Sequence, residues 1–136
     1  MAEQEQRHLI LIVARAFASR LATAVFLVDP DGNAIYFNEA AERLLGRPFV
    51  EGHGMPAGAW STQFTPQDNE GRPIPIDEQP LGIALGTRAP AHRSMGIRGL
   101  DGRVRDIAVT AFPLFAHTEE FVGAMAIFWD KAEEGA

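Results

Sequence analysis

The stretch FLVDPDGNAIYFNEAAERLLG, from Phe26 to Gly46, decides the fold class of this chain. Its first apolar run stops at residues 29–33, DPDGN, where Pro presets one backbone dihedral, Asp bonds to its own backbone and Gly accepts positive φ. The apolar run resumes over 34–37, so the two runs predict the strands of a hairpin. Asn38 then stands where a helix N-cap is expected, and Gly46 stands where that helix would end.

The last third of the chain predicts three antiparallel strands, over residues 91–98, 103–115 and 121–129. An Asp-Gly turn at 100–102 joins the first two. The final strand is apolar or small on both faces, whereas a sheet with one hydrated face alternates more cleanly. We therefore expect the second face to be covered, and the helix at the start of the chain is the available candidate.

Helices are predicted between the two groups of strands. Residues 49–76 are irregular and too long for a bare connector, so they are expected to carry short helical turns or to line a site. A helix over 78–85 is predicted next, capped by Asp77 and ended by Gly86. Five strands grouped around helices indicate an α+β fold with an antiparallel sheet.

Residues 4–21 predict an amphipathic helix that flanks this domain. Its apolar residues fall at helical spacing: Leu9, Ile10, Ile12, Val13, Phe17 and Leu21. Such a stripe has to be buried. Packing on the helix's own domain and packing on a second copy of the chain both remain open.

The bulk composition narrows the class of protein. A length of 136 residues fits one domain, and the formal charge of −6 comes without a Lys/Arg cluster, so nucleic acid is not an expected partner. Cysteine is absent, which excludes disulfides and thiolate sites. The apolar run 9–14 is too short for a secretory signal or a membrane span, so we expect a cytoplasmic protein with no membrane partner.

Three stretches together resemble the PAS domain, a sensory module of bacterial signalling proteins. They are VFLVDPDGNAIYFNEAAERLLG, GRPIPIDEQPLGIALGTRAP, and IRGLDGRVRDIAVTAFPLF followed by VGAMAIFWD. The resemblance covers residues 22–130 and implies a sheet of order 2-1-5-4-3 whose short helices fold over one face to enclose a pocket. It also implies homodimerisation through the flanking helix, residues 1–21, and leaves 131–136 as a short tail.

The same resemblance bears on cofactors. Light-sensing members bond flavin through a cysteine, which this chain lacks, so that chemistry is excluded. Haem-binding members commonly carry a histidine on the helix before the third strand, but residues 78–85 contain none and His92 falls at the start of a strand. Haem is therefore not expected, and the identity of any cofactor stays unknown.

The family's layout implies an apolar pocket formed by one helix and the strands beneath it. The residues assigned to this pocket are Phe64, Leu81, Leu85, Met95, Ile97, Val109 and Met125. A solid core with no ligand is the alternative, because Met, Leu and Phe fill gaps well. None of the histidines has metal-site spacing, and no residue pattern indicates a catalytic group.

These patterns favour a free-standing, non-catalytic sensory module that acts as a homodimer. It would bind an apolar or weakly polar small molecule, dock onto a separate signalling protein, or do both. A dimerisation adaptor with a filled core is one alternative. A small enzyme on another α+β pocket fold is the second, although the early hairpin argues against it.

Overall fold

The computed structural model describes residues 2–51, 54–117 and 119–133. The helices in these residues are α1 (Ala2–Ala18), α2 (Glu39–Leu45), α3 (Ala57–Gln63) and α4 (Pro80–Thr87), with short 3-10 helices at Ile76–Glu78 and Lys131–Glu133. The strands are β1 (Ala24–Val28), β2 (Ala34–Phe37), β3 (Ala91–Arg98), β4 (Val104–Phe115) and β5 (Phe121–Asp130). Residue 1 and the end of the predicted tail, 134–136, lie outside the described residues.

The five strands form one antiparallel sheet of order β2-β1-β5-β4-β3, which confirms the predicted fold class and strand order. The sequence explains its first hairpin, because Oδ1 of Asp29 accepts hydrogen bonds from the backbone N–H groups of Asp31 and Asn33, each at 2.9 Å. These bonds close the turn between β1 and β2.

Helix α2 begins and ends where the sequence predicted. Asn38 caps it by accepting a hydrogen bond from the N–H of Ala41, at 3.1 Å. At the other end Gly46 adopts the left-handed conformation, with φ of 71°, and donates its N–H to the carbonyl of Glu42. Glycine adopts this conformation without the steric cost that a Cβ would bring.

The boundaries predicted for α4 were wrong at both ends. Asp77 lies in a 3-10 turn instead of capping the helix, and α4 begins at Pro80, whose missing N–H costs nothing in a first helical turn. The helix passes through Gly86 and ends at Thr87, and its C-cap, Arg88, takes the left-handed conformation with φ of 59°. The flanking helix also ends early, at Ala18 instead of residue 21.

Apolar side chains pack on both faces of the sheet. Helices α2, α3 and α4 cover one face, where Phe26, Val109 and Phe128 lie in the larger core. Helix α1 covers the other, where its Ala18 packs with Val25, Leu27 and Met125. The expectation that the N-terminal helix covers the second face of β5 is therefore confirmed.

The segment between α2 and α4 crosses the sheet from one edge to the other. Its Met55 forms a bridge with Ala34 on β2, and its Gln67 forms a bridge with Gly96 on β3. Because β2 and β3 are the two edge strands, this segment covers part of each edge. No helix in the described part of the chain has the length and hydropathy that crossing a bilayer would need.

Candidate functional site

An apolar cavity of about 70 Å³ lies between the sheet and the helices that cover it. The sheet supplies its floor through Phe26, Ile97, Ile107, Val109, Ala126 and Phe128. The helices and their connections supply its roof through Leu45, Trp60, Phe64, Pro66, Pro80 and Leu81. Met95 and Gln79 complete the lining.

Five of the seven residues assigned to the pocket from the sequence line this cavity: Phe64, Leu81, Met95, Ile97 and Val109. Leu85 packs against the same core but does not line the cavity. It lies one turn beyond Leu81 on α4, beside Gly32 in the first hairpin, and so contacts the core outside the cavity.

The assignment of Met125 to the pocket was wrong. Met125 lies on the opposite face of the sheet, packed with Leu27 and Ala18 under α1. Because both faces of β5 are apolar, alternation separates its residues into two sets without saying which set faces the pocket. Ala126 and Phe128, from the other set, line the cavity instead.

Trp60 is a fixed part of the roof. Its indole Nε1 donates a hydrogen bond to the carbonyl oxygen of Gly32 at 2.7 Å. Its ring meets that of Phe26 edge to face, with centroids 6.1 Å apart. Hydrophobic periodicity gave no assignment for Trp60, because the irregular segment that carries it shows no repeating pattern.

Apart from the indole N–H of Trp60, Gln79 carries the only polar side-chain groups among the described lining residues, and it is only 3% exposed. Its Nε2 donates hydrogen bonds to the carbonyl oxygens of Ser61, at 2.8 Å, and Ile74, at 2.9 Å. Gln79 directly precedes α4, so these two bonds link the start of α4 to α3 and to the segment that follows α3. The sequence offered no signal for Gln79, since its role depends on contacts made only in the folded protein.

Met95 is the least buried residue of the described cavity lining. Every other lining residue is buried, whereas Met95 is only partly buried. It lies on the edge strand β3, and its unbranched side chain is flexible. A rotation of Met95 would therefore change the access of solvent to the cavity.

The lining residues that the structure describes suit neither a histidine-ligated haem nor a cysteinyl flavin, since they include no His or Cys. The ring of His92 lies on the other face of the sheet, with its centroid 6.3 Å from that of Trp129. In the described ranges, no group of three or more His, Cys, Asp or Glu side chains is arranged to hold a metal ion.

A second feature is the outer side of α1, which is apolar and exposed. Leu9, Ile12, Val13 and Phe17 are 57%, 63%, 56% and 56% exposed. Their spacing places them along one stripe of the helix. Leu11, Ala14 and Ala18 face the sheet, so α1 carries two apolar sides and its own domain buries only one.

An ion pair joins α1 to the segment that leads into α3. Arg15 donates to both carboxylate oxygens of Glu51, with Nη1 2.9 Å from Oε1, and its guanidinium lies 4.7 Å from the centre of the Tyr36 ring. The hydrogen bond to Glu51 raises the pKa of Arg15, and the same bond lowers the pKa of Glu51. Both groups are therefore charged at neutral pH.

Solved structures share this architecture. The PAS domain of a Colwellia psychrerythraea protein is 20% identical, with a TM-score of 0.63 over 90% of this chain and 98% of that one. The PAS domain of Bordetella pertussis BvgS is 16% identical, with a TM-score of 0.58 over 91% of this chain and 90% of that one. The LOV domain of a blue-light activated histidine kinase from Erythrobacter litoralis is 20% identical, with a TM-score of 0.61 over 82% of this chain and 98% of that one.

At these identities the structures establish the fold alone. The comparison with curated proteins found no match. The family model described as the PAS fold matches residues 18–135, which covers the sheet, the covering helices and the cavity between them. The chain therefore belongs to the PAS family, as the three sequence stretches predicted.

Proposed function

We propose that this protein is a non-catalytic sensory module that binds a small apolar molecule in the cavity and acts as a homodimer. The observation that carries the proposal is the cavity itself, an apolar space within a PAS fold whose lining includes one flexible, partly exposed side chain, Met95. No acidic or basic side chain is among the described residues of its lining, which supports binding over catalysis.

The homodimer is supported by the exposed stripe of α1. Four large apolar side chains on one helix face are exposed although the opposite side of the helix is already packed on the sheet. A second copy presents the same stripe, and a two-fold arrangement would bury both at once. The second copy is therefore the occupant that we propose for this face.

The ion pair between Arg15 and Glu51 offers a route from the cavity to the dimer helix. Glu51 precedes α3, whose Trp60 forms part of the cavity roof. A ligand that displaces this roof would act on α1 through Glu51, and regulation of a signalling partner requires coupling of only about 1–3 kcal/mol. We propose that the partner is a separate signalling protein in the cytoplasm.

The first experiment is native mass spectrometry of the protein purified from cells, compared with Ala126→Leu. Ala126 lies in the cavity floor, so a larger side chain there would occupy the ligand's space. We expect the unmodified protein to retain a small molecule and Ala126→Leu to lose it. Met125→Leu, one residue away on the opposite face, is the matched control and should retain it.

A dimerisation adaptor without a ligand is the second candidate, and the size of the cavity favours it. Its volume of about 70 Å³ is below the about 300–1,000 Å³ of typical ligand sites. A ligand-free mass for both the unmodified protein and Met125→Leu, in protein that remains dimeric, would support the adaptor and contradict the sensory proposal.

A further inference from the structure

The amide of Gln79 is only partly satisfied by the protein. Its nitrogen donates to two backbone carbonyls, which also fixes the orientation of the amide, because a carbonyl oxygen in that position would face two other oxygens. The side-chain oxygen, Oε1, has no hydrogen-bond donor among the described residues. The residue is nevertheless 97% buried, since only 3% of it is exposed.

The position of this oxygen follows from the packing around it. Among the described residues, no side-chain nitrogen or oxygen is both fully enclosed and without a hydrogen bond. The oxygen of Gln79 is therefore not fully enclosed by protein atoms, and Gln79 is one of the residues that line the apolar cavity. We infer that this oxygen faces the cavity, where it would be an unpaired acceptor among the mainly apolar side chains of the described lining.

Water would satisfy this acceptor poorly. A buried water usually makes about two to four hydrogen bonds with polar groups, and, apart from the indole N–H of Trp60, Gln79 carries the only polar side-chain groups among the described lining residues. An unpaired acceptor in an apolar site is unfavourable, because it has lost its bonds to bulk water. The occupant that fits is an apolar molecule with one donor of its own.

We propose that the ligand of this cavity is a compact, mostly hydrocarbon molecule with a single O–H or N–H group, such as a small phenol or alcohol, which donates to Oε1 of Gln79. This inference rests on the proposed function and makes its ligand specific. Leu81 and Val109 contact the hydrocarbon part, while Gln79 selects for the donor.

The volume limits the size of the ligand. An engineered apolar cavity of about 150 Å³ accepts benzene, so a cavity of about 70 Å³ has to expand for a single ring. Met95 is the lining residue that has room to move, since part of its surface is already exposed. A molecule of one ring or a short branched chain is therefore the upper limit.

Phenol and toluene form a matched pair of probes, since they share a ring and differ in one hydroxyl or methyl group. In a purely apolar cavity toluene would bind about tenfold more tightly or better, because the phenol hydroxyl would lose its bonds to water without replacement. In this cavity we expect phenol to bind at least as tightly as toluene. NMR titration of the unmodified protein measures both dissociation constants.

The same titration reports on Gln79 directly. The side-chain carbonyl carbon of Gln79 should shift with phenol and stay unchanged with toluene, because only phenol donates to it. In Gln79→Met we expect the affinity for phenol to fall about tenfold, which corresponds to the loss of one hydrogen bond to a neutral group in a buried site. The affinity for toluene should change less than about threefold. If Gln79→Met does not fold, the comparison of phenol and toluene in the unmodified protein tests whether Gln79 accepts a hydrogen bond from the ligand.

Each outcome separates this inference from the proposed function. Tenfold preference for toluene, with no response from Gln79, would overturn the hydrogen-bonded ligand while leaving the cavity as a binding site. Binding of neither probe, together with a ligand-free native mass, would overturn both. Equal or tighter binding of phenol with a shifted Gln79 signal supports both.

Discussion

Asn38 shows how much one side chain contributes to the fold. It is 1% exposed and bonds to three separate segments. Its oxygen accepts from the N–H of Val25 at 2.9 Å as well as capping α2, and its nitrogen donates to the carbonyls of Ala18 at 2.9 Å and Thr23 at 2.8 Å. The sequence predicted the helix cap because capping is local, but it could not predict the bonds to residues up to twenty positions away.

We expect Asn38→Ala to lower the free energy of unfolding by about 3 kcal/mol, because it removes a helix cap and leaves buried backbone groups unpaired. Urea denaturation measures this value. Asn69→Ala, at an exposed position in a turn, is the matched control and should change stability by less than about 0.5 kcal/mol. Equal effects of the two substitutions would contradict the assigned role of Asn38.

At the scale of elements, β5 is the strand that both layers of helices use. Its Gly123 has φ of +146°, and a Cβ there would collide with the carbonyl oxygen of Val28 and approach Cδ2 of Leu11 at 3.3 Å. This glycine therefore allows the close approach of β1 on one side and α1 on the other. Glycine within a strand often marks such an approach.

Gly123→Ala is expected to destabilise the protein by more than about 2 kcal/mol, since the backbone angle is unfavourable and the added methyl group has no space. Gly86→Ala provides the control on an exposed part of α4, where nothing lies within 4 Å of the new methyl group. There the higher helix propensity of alanine should leave stability unchanged or raise it by up to about 1 kcal/mol. Thermal unfolding of both variants tests the contrast, and a stable Gly123→Ala protein would refute it.

The elements also show where sequence reasoning succeeds. Alternation and turn chemistry located all five strands, because these signals are local. The side of β5 that faces the cavity was not predictable, since Met125 and Ala126 are both apolar and only the position of α1 distinguishes them. The ends of α4 were missed because tertiary contacts, including the bonds of Gln79, determine where that helix begins.

At the scale of the whole molecule, the outer stripe of α1 is a surface of exposed, large apolar side chains. A helix that packed only on its own domain would carry polar residues on its outer side. Here Ile12 and Phe17 remain 63% and 56% exposed, so the isolated chain leaves large apolar groups in water. The interpretation in which α1 packs on its own domain is confirmed for its inner side, whereas packing of the outer side on a second copy stays a prediction.

We expect the unmodified protein to sediment as a dimer and Val13→Glu to sediment as a monomer, because a carboxylate in the centre of the stripe would be buried without a partner. Val104→Glu is a close control, since Val104 is 55% exposed and Val13 is 56% exposed. It is the first residue of β4, paired with Arg98 on β3 and not part of the α1 stripe, and its substitution should leave the dimer intact. A monomeric unmodified protein, or the same mass for both variants, would exclude α1 as the dimer interface.

The segment from Met55 to Gln67 is attached to the sheet at both of its outer strands, through Ala34 and Gly96. Apart from a rotation of Met95, a larger ligand could be accommodated by displacement of the middle of this segment, which carries Trp60 and Phe64, because both ends of the segment are bonded to the sheet. Ligand binding should then speed up deuterium uptake at the backbone amides around Trp60 and Phe64. The amides of Met55 and Gln67, which are bonded to the sheet, should exchange at an unchanged rate. The parts of β2 and β3 that pair with this segment would stay covered while its middle moves.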